Sequence, residues 1–439
     1  MKRFLISIFC LATTLIVAQE TPKRWTLEAC ISYAFENNIS IKQSQLDIED
    51  ADVNERDAFG NFLPSINLNS NLNWNSGVTQ NNVTGILENQ TTRNFTLGGN
   101  VGLNIFNGLD NWKRLQRAKL SKLASSYSLE QMEDDIALAV ANSYLQILVS
   151  KQTRDLLISQ NEITLQQLEQ TQLQIDAGTV PRGAILELEA TDADEKRQIV
   201  VAENDVKISL ITLAQLLLID DYENFEIADE NYDVPVTDIL NRDIDDIIEQ
   251  AKKERYEILI AETNLDISKK DLEIARSAYF PSLDGFISYS ARESENLPLD
   301  FIEQLYTFDG LFYGLRLNIP VFNGLSVRNN VKRNKINVQR QENRLEQAEL
   351  DLESNVYQAY VDAKGAAKAY DAAQKAVDAQ QIAFDFAKER FDVGSSNSFE
   401  LNQTKIRLTN TENRLIQAKY DFIFRIKVLE LFFGERPVE

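Results

Sequence analysis

The residues that most often carry out chemistry in proteins are scarce in this sequence. Its 439 residues include no histidine and two cysteines, Cys10 and Cys30. Histidine is the commonest general base and the commonest metal ligand, and cysteine thiolates complete most zinc and copper sites. The sequence therefore predicts neither an enzyme nor a resident metal ion or cofactor.

Carboxylates are abundant, and they give the chain a formal net charge of −22. That charge argues against nucleic acid as a partner, because phosphates require neutralisation by lysine and arginine. Calcium is conceivable where acids cluster, but the glycine-containing spacing of an EF-hand is missing, so a solvated linker is the favoured interpretation. The densest cluster consists of Asp220, Asp221, Glu223, Glu226, Asp229, Glu230, Asp233, Asp238, Asp243, Asp245 and Asp246.

The first residues have the pattern of a secretory signal peptide. Lys2 and Arg3 precede an apolar stretch at 4–17, and cleavage is expected after Ala18, so residues 1–18 are the predicted signal. The exported chain then keeps only Cys30 and cannot form an internal disulfide. No later stretch has the ~20 continuous apolar residues of a membrane-spanning helix, so residence in a membrane would depend on strands.

An internal repeat organises the rest of the chain. The segment Phe-Asn-Gly-Leu occurs at 106–109 and again 216 residues later at 322–325. The same offset relates the Asp-x-Gly segments that end at Gly178 and Gly394, whereas the upstream Pro-Ser pairs slip by one residue. Such a fixed period indicates a duplicated structural unit. We predict a first repeat at 19–219, an acidic linker at 220–243 and a second repeat at 244–439.

Each repeat contains two segments in which apolar and polar residues alternate, at 65–75 and 97–106 and then around 283–289 and 313–321. Alternation over about ten residues is typical of a barrel strand with lipid on one side and water on the other. A soluble sandwich shows the same pattern, but four strands in a largely helical chain, with polar faces of Asn, Ser and Gly, favour the barrel. Residues 76–94 and 291–308 are predicted to be loops. The predicted lipid-facing residues are Leu68, Leu72, Trp74, Val101, Leu103, Ile287, Tyr289, Leu315 and Leu317.

Long helices follow each pair of strands. Residues 110–177 and 326–393 contain no proline, and each would form a helix on the order of 100 Å long. A glycine-containing turn leads to a shorter returning helix that ends near Leu218 or Phe433. A further helix precedes the strands of each repeat, at 26–59 and 244–279, and could stack end to end on the returning helix.

Four strands cannot close a barrel alone, although every backbone amide in hydrocarbon must be paired. A dimer would supply eight strands and a trimer twelve, and an eight-stranded barrel is filled by its own side chains. The predicted fold is therefore mainly α, with long antiparallel helical hairpins forming an α-barrel. Four strands per chain would contribute to the twelve-stranded β-barrel of a homotrimer.

Several segments resemble the TolC family of outer-membrane efflux proteins. They are WTLEACISYAFENN at 25–38, LPS at 63–65, FPSL at 280–283, the two FNGL turns and ERFDVG at 389–394. The resemblance covers nearly the whole chain after the predicted signal. It implies an outer-membrane homotrimer whose helical tunnel crosses the periplasm, docked on a periplasmic adaptor that links it to an inner-membrane pump of the RND or ABC type.

The resemblance also implies roles for residues at the two helical tips. The segments that align with the adaptor-contacting loops are Gly178, Thr179, Val180 and Arg182 in the first tip, and Gly394, Ser395 and Ser396 in the second. The glycines alone are sufficiently explained as helix ends. The positions that match the family's tunnel gate are Phe391, Glu400 and Gln403. A family arginine is replaced by Ser396 and a family aspartate by Ala184, so an acidic ring would rest on Glu400 alone.

The expected function is a passive exit duct of a tripartite efflux or type I secretion system. The alternative is a trimeric, barrel-anchored surface protein similar to an adhesin. Such a protein would place its mass outside the cell, whereas the predicted inter-strand loops are short and the returning helices make closed hairpins. These two features favour the duct.

Overall fold

A computed structural model describes residues 24–80, 84–229, 232–234 and 238–434. The predicted signal peptide lies outside the described residues. The helices are α1 (Leu27–Asn37), α2 (Ile39–Gly60), α3 (Asp110–Asp176), α4 (Gly183–Leu217), α5 (Ile244–Glu254), α6 (Tyr256–Ser277), α7 (Phe301–Thr307), α8 (Ser326–Asp392) and α9 (Ser398–Leu431). The strands are β1 (Ser65–Gln80), β2 (Leu87–Phe106), β3 (Ser282–Ser294) and β4 (Asp309–Asn318).

The two long helices confirm the helical register predicted from the repeat. α3 and α8 contain 67 residues each, and their first residues, Asp110 and Ser326, are 216 positions apart. Each helix is preceded by a left-handed leucine, Leu109 or Leu325, with φ +66° in both cases. A left-handed glycine stands immediately before each leucine, so the chain turns from strand to helix in the same way in both repeats.

Among the described residues, no helix has the combination of length and apolar composition that would let it cross a membrane.

The helices that precede the strands are not continuous, contrary to the sequence-based expectation. Asn38 separates α1 from α2, and Arg255 separates α5 from α6; neither residue has helical backbone, with ψ 134° at Asn38 and 131° at Arg255. Asn38 Nδ2 donates to the carbonyl of Leu216 at 3.3 Å, and Arg255 Nη1 donates to that of Leu431 at 3.3 Å. Because the last carbonyls of a helix have no intrahelical partner, each break satisfies the end of a returning helix. Each break thus joins the start of a helix to the end of a returning helix, while end-to-end stacking of the two stays a prediction.

The strands form one antiparallel sheet in the order β1-β2-β3-β4. The prediction of a loop at 76–94 was wrong, because β1 continues to Gln80 and β2 starts at Leu87. Backbone pairing needs no apolar side chain, so this polar hairpin continues where the alternation of side chains ends. β4 stops at Asn318 rather than at 321, since Pro320 lacks the N–H that a strand requires. The predicted loop at 291–308 contains the end of β3 and the short helix α7.

Most of the buried apolar residues belong to two clusters near the middle of the long helices. The first contains Tyr144 of α3 and Leu213 of α4, and the second contains Val356 of α8 and Ile426 of α9. The acidic segment is not merely a solvated linker, because its Phe225 and Ile227 are buried in the first cluster. Its carboxylates that the structure describes stay exposed. An isolated bridge between Trp25 and Ile227 ties the segment to the start of the described chain.

Candidate functional site

The register of the sheet places the predicted lipid-facing residues together. Ile66, Val101, Ile287 and Tyr313 are paired in one row across the four strands. Directly paired residues of an antiparallel sheet point to the same side, and residues two positions along each strand share that side. By this rule all nine predicted residues lie on one face of the sheet, which we call the apolar face.

The opposite face of the sheet, the polar face, carries mostly amides, hydroxyls and glycines, with the aromatic rings of Phe286 and Phe312 among them. Ser288 Oγ donates to Asn100 Oδ1 at 2.6 Å, and Asn104 Nδ2 donates to Asp284 Oδ1 at 2.8 Å. These bonds link β2 to β3 on the side away from the apolar row. The segregation of side chains suits a sheet with hydrocarbon on one side and water on the other.

The two edges of the sheet remain open in a single chain. Within the described residues, β1 is paired only with β2, and β4 only with β3. The outer edges of β1 and β4 therefore present unpaired backbone amides and carbonyls along their length. Such edges pair readily with another strand, and a membrane does not tolerate them unpaired.

Both helical tips end in the same hydrogen-bonded turn. Gly178 and Gly394 have φ +71° and +76°, a region that favours glycine. Thr179 follows the first glycine, and both its N and its Oγ1 lie 2.9 Å from the carbonyl oxygen of Gln174. Ser395 repeats the arrangement, with N at 2.8 Å and Oγ at 3.0 Å from the carbonyl oxygen of Arg390. The turns satisfy the helix ends as a Schellman motif does.

The predicted docking residues lie together at this end of the molecule. Gln170 Nε2 donates to Asp392 Oδ1 at 3.4 Å, so the two tips lie side by side. The predicted docking residues other than Val180 and Ser396 are exposed, and those two are half-buried. The tips differ where the returning helix begins. Arg182 precedes α4 without a side-chain cap, whereas α9 is capped by a side chain.

Glu400 of the second tip forms three hydrogen bonds with neighbouring residues of that tip. Its backbone N donates to the capping Oδ1 of Asn397 at 3.0 Å. Its carboxylate accepts from Ser396 Oγ at 2.7 Å and from Arg390 Nη1 at 2.8 Å. The Ser396 hydroxyl and the Arg390 guanidinium together hold the pKa of Glu400 below its usual range, against a smaller opposing effect of desolvation. The exposed carboxylate is thus kept ionised.

The structure separates the three predicted gate residues. Glu400 and Gln403 are exposed, whereas Phe391 is buried between α8 and α9 with Phe384 and Leu401. In a single chain, therefore, only the two polar residues are available to a tunnel mouth. A gate role for Phe391 stays a prediction and would require its side chain to leave this cluster.

A buried polar cluster between the two hairpins was missed from the sequence. Lys405 of α9 is fully buried, and its Nζ donates to Glu195 Oε1 of α4 at 2.5 Å and to the hydroxyl of Thr164 in α3. Thr164 and Asn161 donate to the other carboxylate oxygen. The signal was present in the spacing of Leu401, Lys405 and Leu408, where a lysine occupies a position of the buried stripe.

The described residues contain no group of three or more Cys, Asp or Glu side chains arranged to hold a metal ion.

A family profile decides the classification. The profile described as outer membrane efflux protein matches residues 30–217 and 247–425. The chain belongs to the outer membrane efflux protein family. The outer-membrane location predicted from the sequence is thereby confirmed. The structure itself confirms the predicted, mainly helical fold with four antiparallel strands.

Curated relatives of this outer membrane efflux protein agree with the classification. Outer membrane protein TolC of Vibrio cholerae is 23% identical over 386 residues, which are 85% of this chain and 82% of that protein. Protein CyaE of Bordetella pertussis is 24% identical over 260 residues, or 59% of this chain. The chain spans about half of CyaE, at 53% of its length.

A solved structure shows the same fold. The crystal structure of the CmeC outer membrane channel of Campylobacter jejuni superposes with a TM-score of 0.79 at 18% identity. The superposition covers 93% of this chain and 85% of that one. At 18% identity this similarity shows a shared fold and carries no conclusion about function.

Proposed function

We propose that three copies of this efflux protein assemble into a passive duct through the outer membrane. The observation that carries the proposal is the segregation of the sheet into an apolar face and a polar face. With the apolar face toward lipid, the polar face would line a water-filled lumen. Pairing of β1 in one copy with β4 in the next would close a twelve-stranded barrel and leave no open edge.

The helical layer supports the same assembly. α3 packs between α2 and α6, and α6 packs on α8, so α2 and α8 are the two outer helices of the layer. Both carry exposed apolar residues, including Leu46 and Val53 on α2 and Tyr357 and Val361 on α8. Because β1 follows α2 and β4 precedes α8, a single rotation between copies would join the sheet edges and the helical edges together.

The repeats have distinct roles in this proposal. Residues 19–219 and 244–439 form the two repeats, and 220–243 join them at the middle of the tunnel. The exposed tips at Gly178 and Gly394 dock on a periplasmic adaptor, which connects the duct to an RND or ABC pump. Glu400 contributes one carboxylate per copy to the tunnel mouth, beside Gln403. The chain supplies no catalysis, and energy comes from the pump.

The orientation of the sheet can be tested with a matched pair of arginine variants. Leu315→Arg places a charge on the apolar face of β4, and Phe312→Arg places one on its polar face. A charge at the bilayer midplane costs about 2–4 kcal/mol, whereas a lumenal charge does not. We expect Leu315→Arg to lower the yield of heat-modifiable trimers in outer-membrane fractions. Equal yields of the two variants would contradict the proposed orientation.

Two further measurements test the duct itself. The purified protein should conduct ions in a planar bilayer, and a non-conducting monomer would rule out the duct. A photocrosslinking residue at Ser396 should capture a periplasmic adaptor, with the same residue at exposed Tyr222 near the middle of the chain as control. Capture of no periplasmic protein, together with exposure of the helical part on the cell surface, would favour the adhesin-like alternative.

A further inference from the structure

The short helix α7 packs against one face of the sheet at the end far from the long helices. Gln304 of α7 is buried, and its Oε1 accepts from the backbone N of Ser294, the last residue of β3, at 2.9 Å. Its Nε2 donates to the carbonyl of Leu299 at 2.8 Å. The ring of Phe301 lies 5.2 Å from that of Phe95 in β2. These contacts fix α7 on the sheet.

The face that α7 covers is the apolar face. Phe95 pairs with Leu72 of β1 and therefore shares its side of the sheet. In β3, Ala291 and Glu293 continue the alternation of Ile287 and Tyr289, and they are only 2% and 3% exposed. α7 thus lies on the side of the sheet that faces lipid in the proposed barrel, outside the lumen.

The level of α7 along the strands corresponds to the border of the hydrocarbon. An apolar band ~25 Å tall, crossed by strands tilted by ~40° with a rise of ~3.3 Å per residue, takes about ten residues. Counted from Leu283 at the helical end of β3, the band ends close to Glu293. Glu293 forms an ion pair with Arg93 at 2.9 Å there. Charges on the lipid side are tolerated at the border, and the Arg93 side chain of this pair is 39% exposed there.

The outer side of α7 carries an apolar pair. Ile302 and Tyr306 are one helical turn apart, 61% and 78% exposed, and lie opposite buried Gln304. Ile302 and Tyr306 thus present an apolar surface on the side of α7 that points away from the sheet. A tyrosine with an exposed ring is the residue type that anchors proteins at the boundary between headgroups and acyl chains.

We propose that α7 is an interfacial helix that inserts Ile302 and Tyr306 into the outer leaflet at the headgroup boundary. It would set the depth of the barrel at its outer rim, where the ion pair of Arg93 and Glu293 marks the end of the apolar band. The inference rests on the proposed lipid-facing orientation of the apolar face. It adds a lipid contact made by a helix rather than by the strands.

Spin labels report the proposed contact directly. Single cysteines replace Tyr306, Ile302, Leu315 or Phe312, and the labelled protein is reconstituted into phosphatidylethanolamine and phosphatidylglycerol vesicles. Power saturation compares collisions with oxygen, which concentrates in lipid, and with a water-soluble nickel chelate. Cys30 is fully buried and needs no replacement, and labelled wild-type protein measures any background.

The four labels give separable outcomes. We expect oxygen to exceed nickel strongly at Leu315 and more weakly at Ile302 and Tyr306, with the ratio reversed at Phe312. Nickel accessibility at Tyr306 equal to that at Phe312 would overturn the inference. Inaccessibility of Tyr306 to both reagents would also overturn it, because a neighbouring copy would then cover α7. If Leu315 is itself accessible to nickel, the proposed membrane orientation fails instead.

Discussion

Removal of the buried ammonium group of Lys405 is expected to loosen the contact between the two hairpins. The Lys405 side chain is 1% exposed and that of its partner Glu195 is 12% exposed. The variant Lys405→Met keeps most of the packing volume but leaves the carboxylate with only the donors of Thr164 and Asn161. Loss of one partner of a fully buried ion pair costs ~3–5 kcal/mol, and the slight exposure of Glu195 places the loss near ~3 kcal/mol.

Hydrogen exchange measured by mass spectrometry can test this magnitude locally. A loss of ~3 kcal/mol corresponds to roughly a 150-fold increase in the population of the open state, at 1.36 kcal/mol per tenfold change. We expect amide exchange in peptides that cover residues 401–412 of α9 to accelerate by about this factor. The control is Lys375→Met on α8, which removes a lysine paired with Asp371 at 2.7 Å but 73% exposed. Its effect should stay below ~1 kcal/mol.

A second variant separates charge from packing. Replacing both partners, as Lys405→Met with Glu195→Leu, removes the unpaired carboxylate and should restore most of the lost protection, because a buried ion pair is often replaceable by apolar residues. If Lys405→Met changes exchange no more than Lys375→Met does, the cluster does not hold the hairpins together. If the double variant stays as open as the single one, the loss arises from packing and not from the stranded charge.

Three further predictions concern the tip, the strand-to-helix turn and the cysteine. Glu400→Gln should weaken block of the conductance by trivalent cations, and unchanged block would remove Glu400 from the mouth. In the unsubstituted protein the lowered pKa of Glu400 keeps its carboxylate ionised as the pH falls through 4.5, so block should persist there and fade only at lower pH. Gly108→Ala should destabilise the trimer by ~1–3 kcal/mol more than Gly324→Ala, judged by the temperature at which trimers dissociate on gels. Both glycines have similar positive φ, but a Cβ at Gly108 would lie 2.7 Å from the Ser277 carbonyl oxygen, whereas one at Gly324 would have no atom within 4 Å. Equal changes in the dissociation temperature of the two variants would therefore contradict the structure. Cys30 should resist N-ethylmaleimide at pH 8 until the protein unfolds, since burial raises its pKa to about 12; alkylation of the folded protein would refute this.

The helix breaks at Asn38 and Arg255 show where local sequence patterns stop being informative. Asn38 and Arg255 lie in stretches with helical periodicity, so a continuous helix was expected at each. Both residues leave the helical conformation at a point where they can donate to the end of a returning helix, Leu216 or Leu431. Those partners are more than 170 residues away in the sequence, and no local pattern contains them.

The first strand of the sheet could be predicted from a local pattern, but only over part of its length. Along residues 65–75 the side chains alternate because one face is apolar, and the strand could be predicted from that alternation. From Ser76 to Gln80 both faces are mostly polar, yet backbone pairing with β2 continues unchanged. Alternation reports burial or lipid contact on one side of a strand. It does not report the hydrogen bonding that defines the strand.

The sequence by itself determined the duplicated unit, the length of the long helices, the apolar face of the strands and the glycine turns at the tips. These features depend on residues within a few positions of one another, or on a copy at a fixed offset. The tertiary structure alone decided that Phe391 is buried, that Lys405 joins the hairpins through Glu195, and that α7 lies on the apolar face. Each of these depends on which distant surfaces meet, and that follows from packing of whole elements rather than from any local pattern.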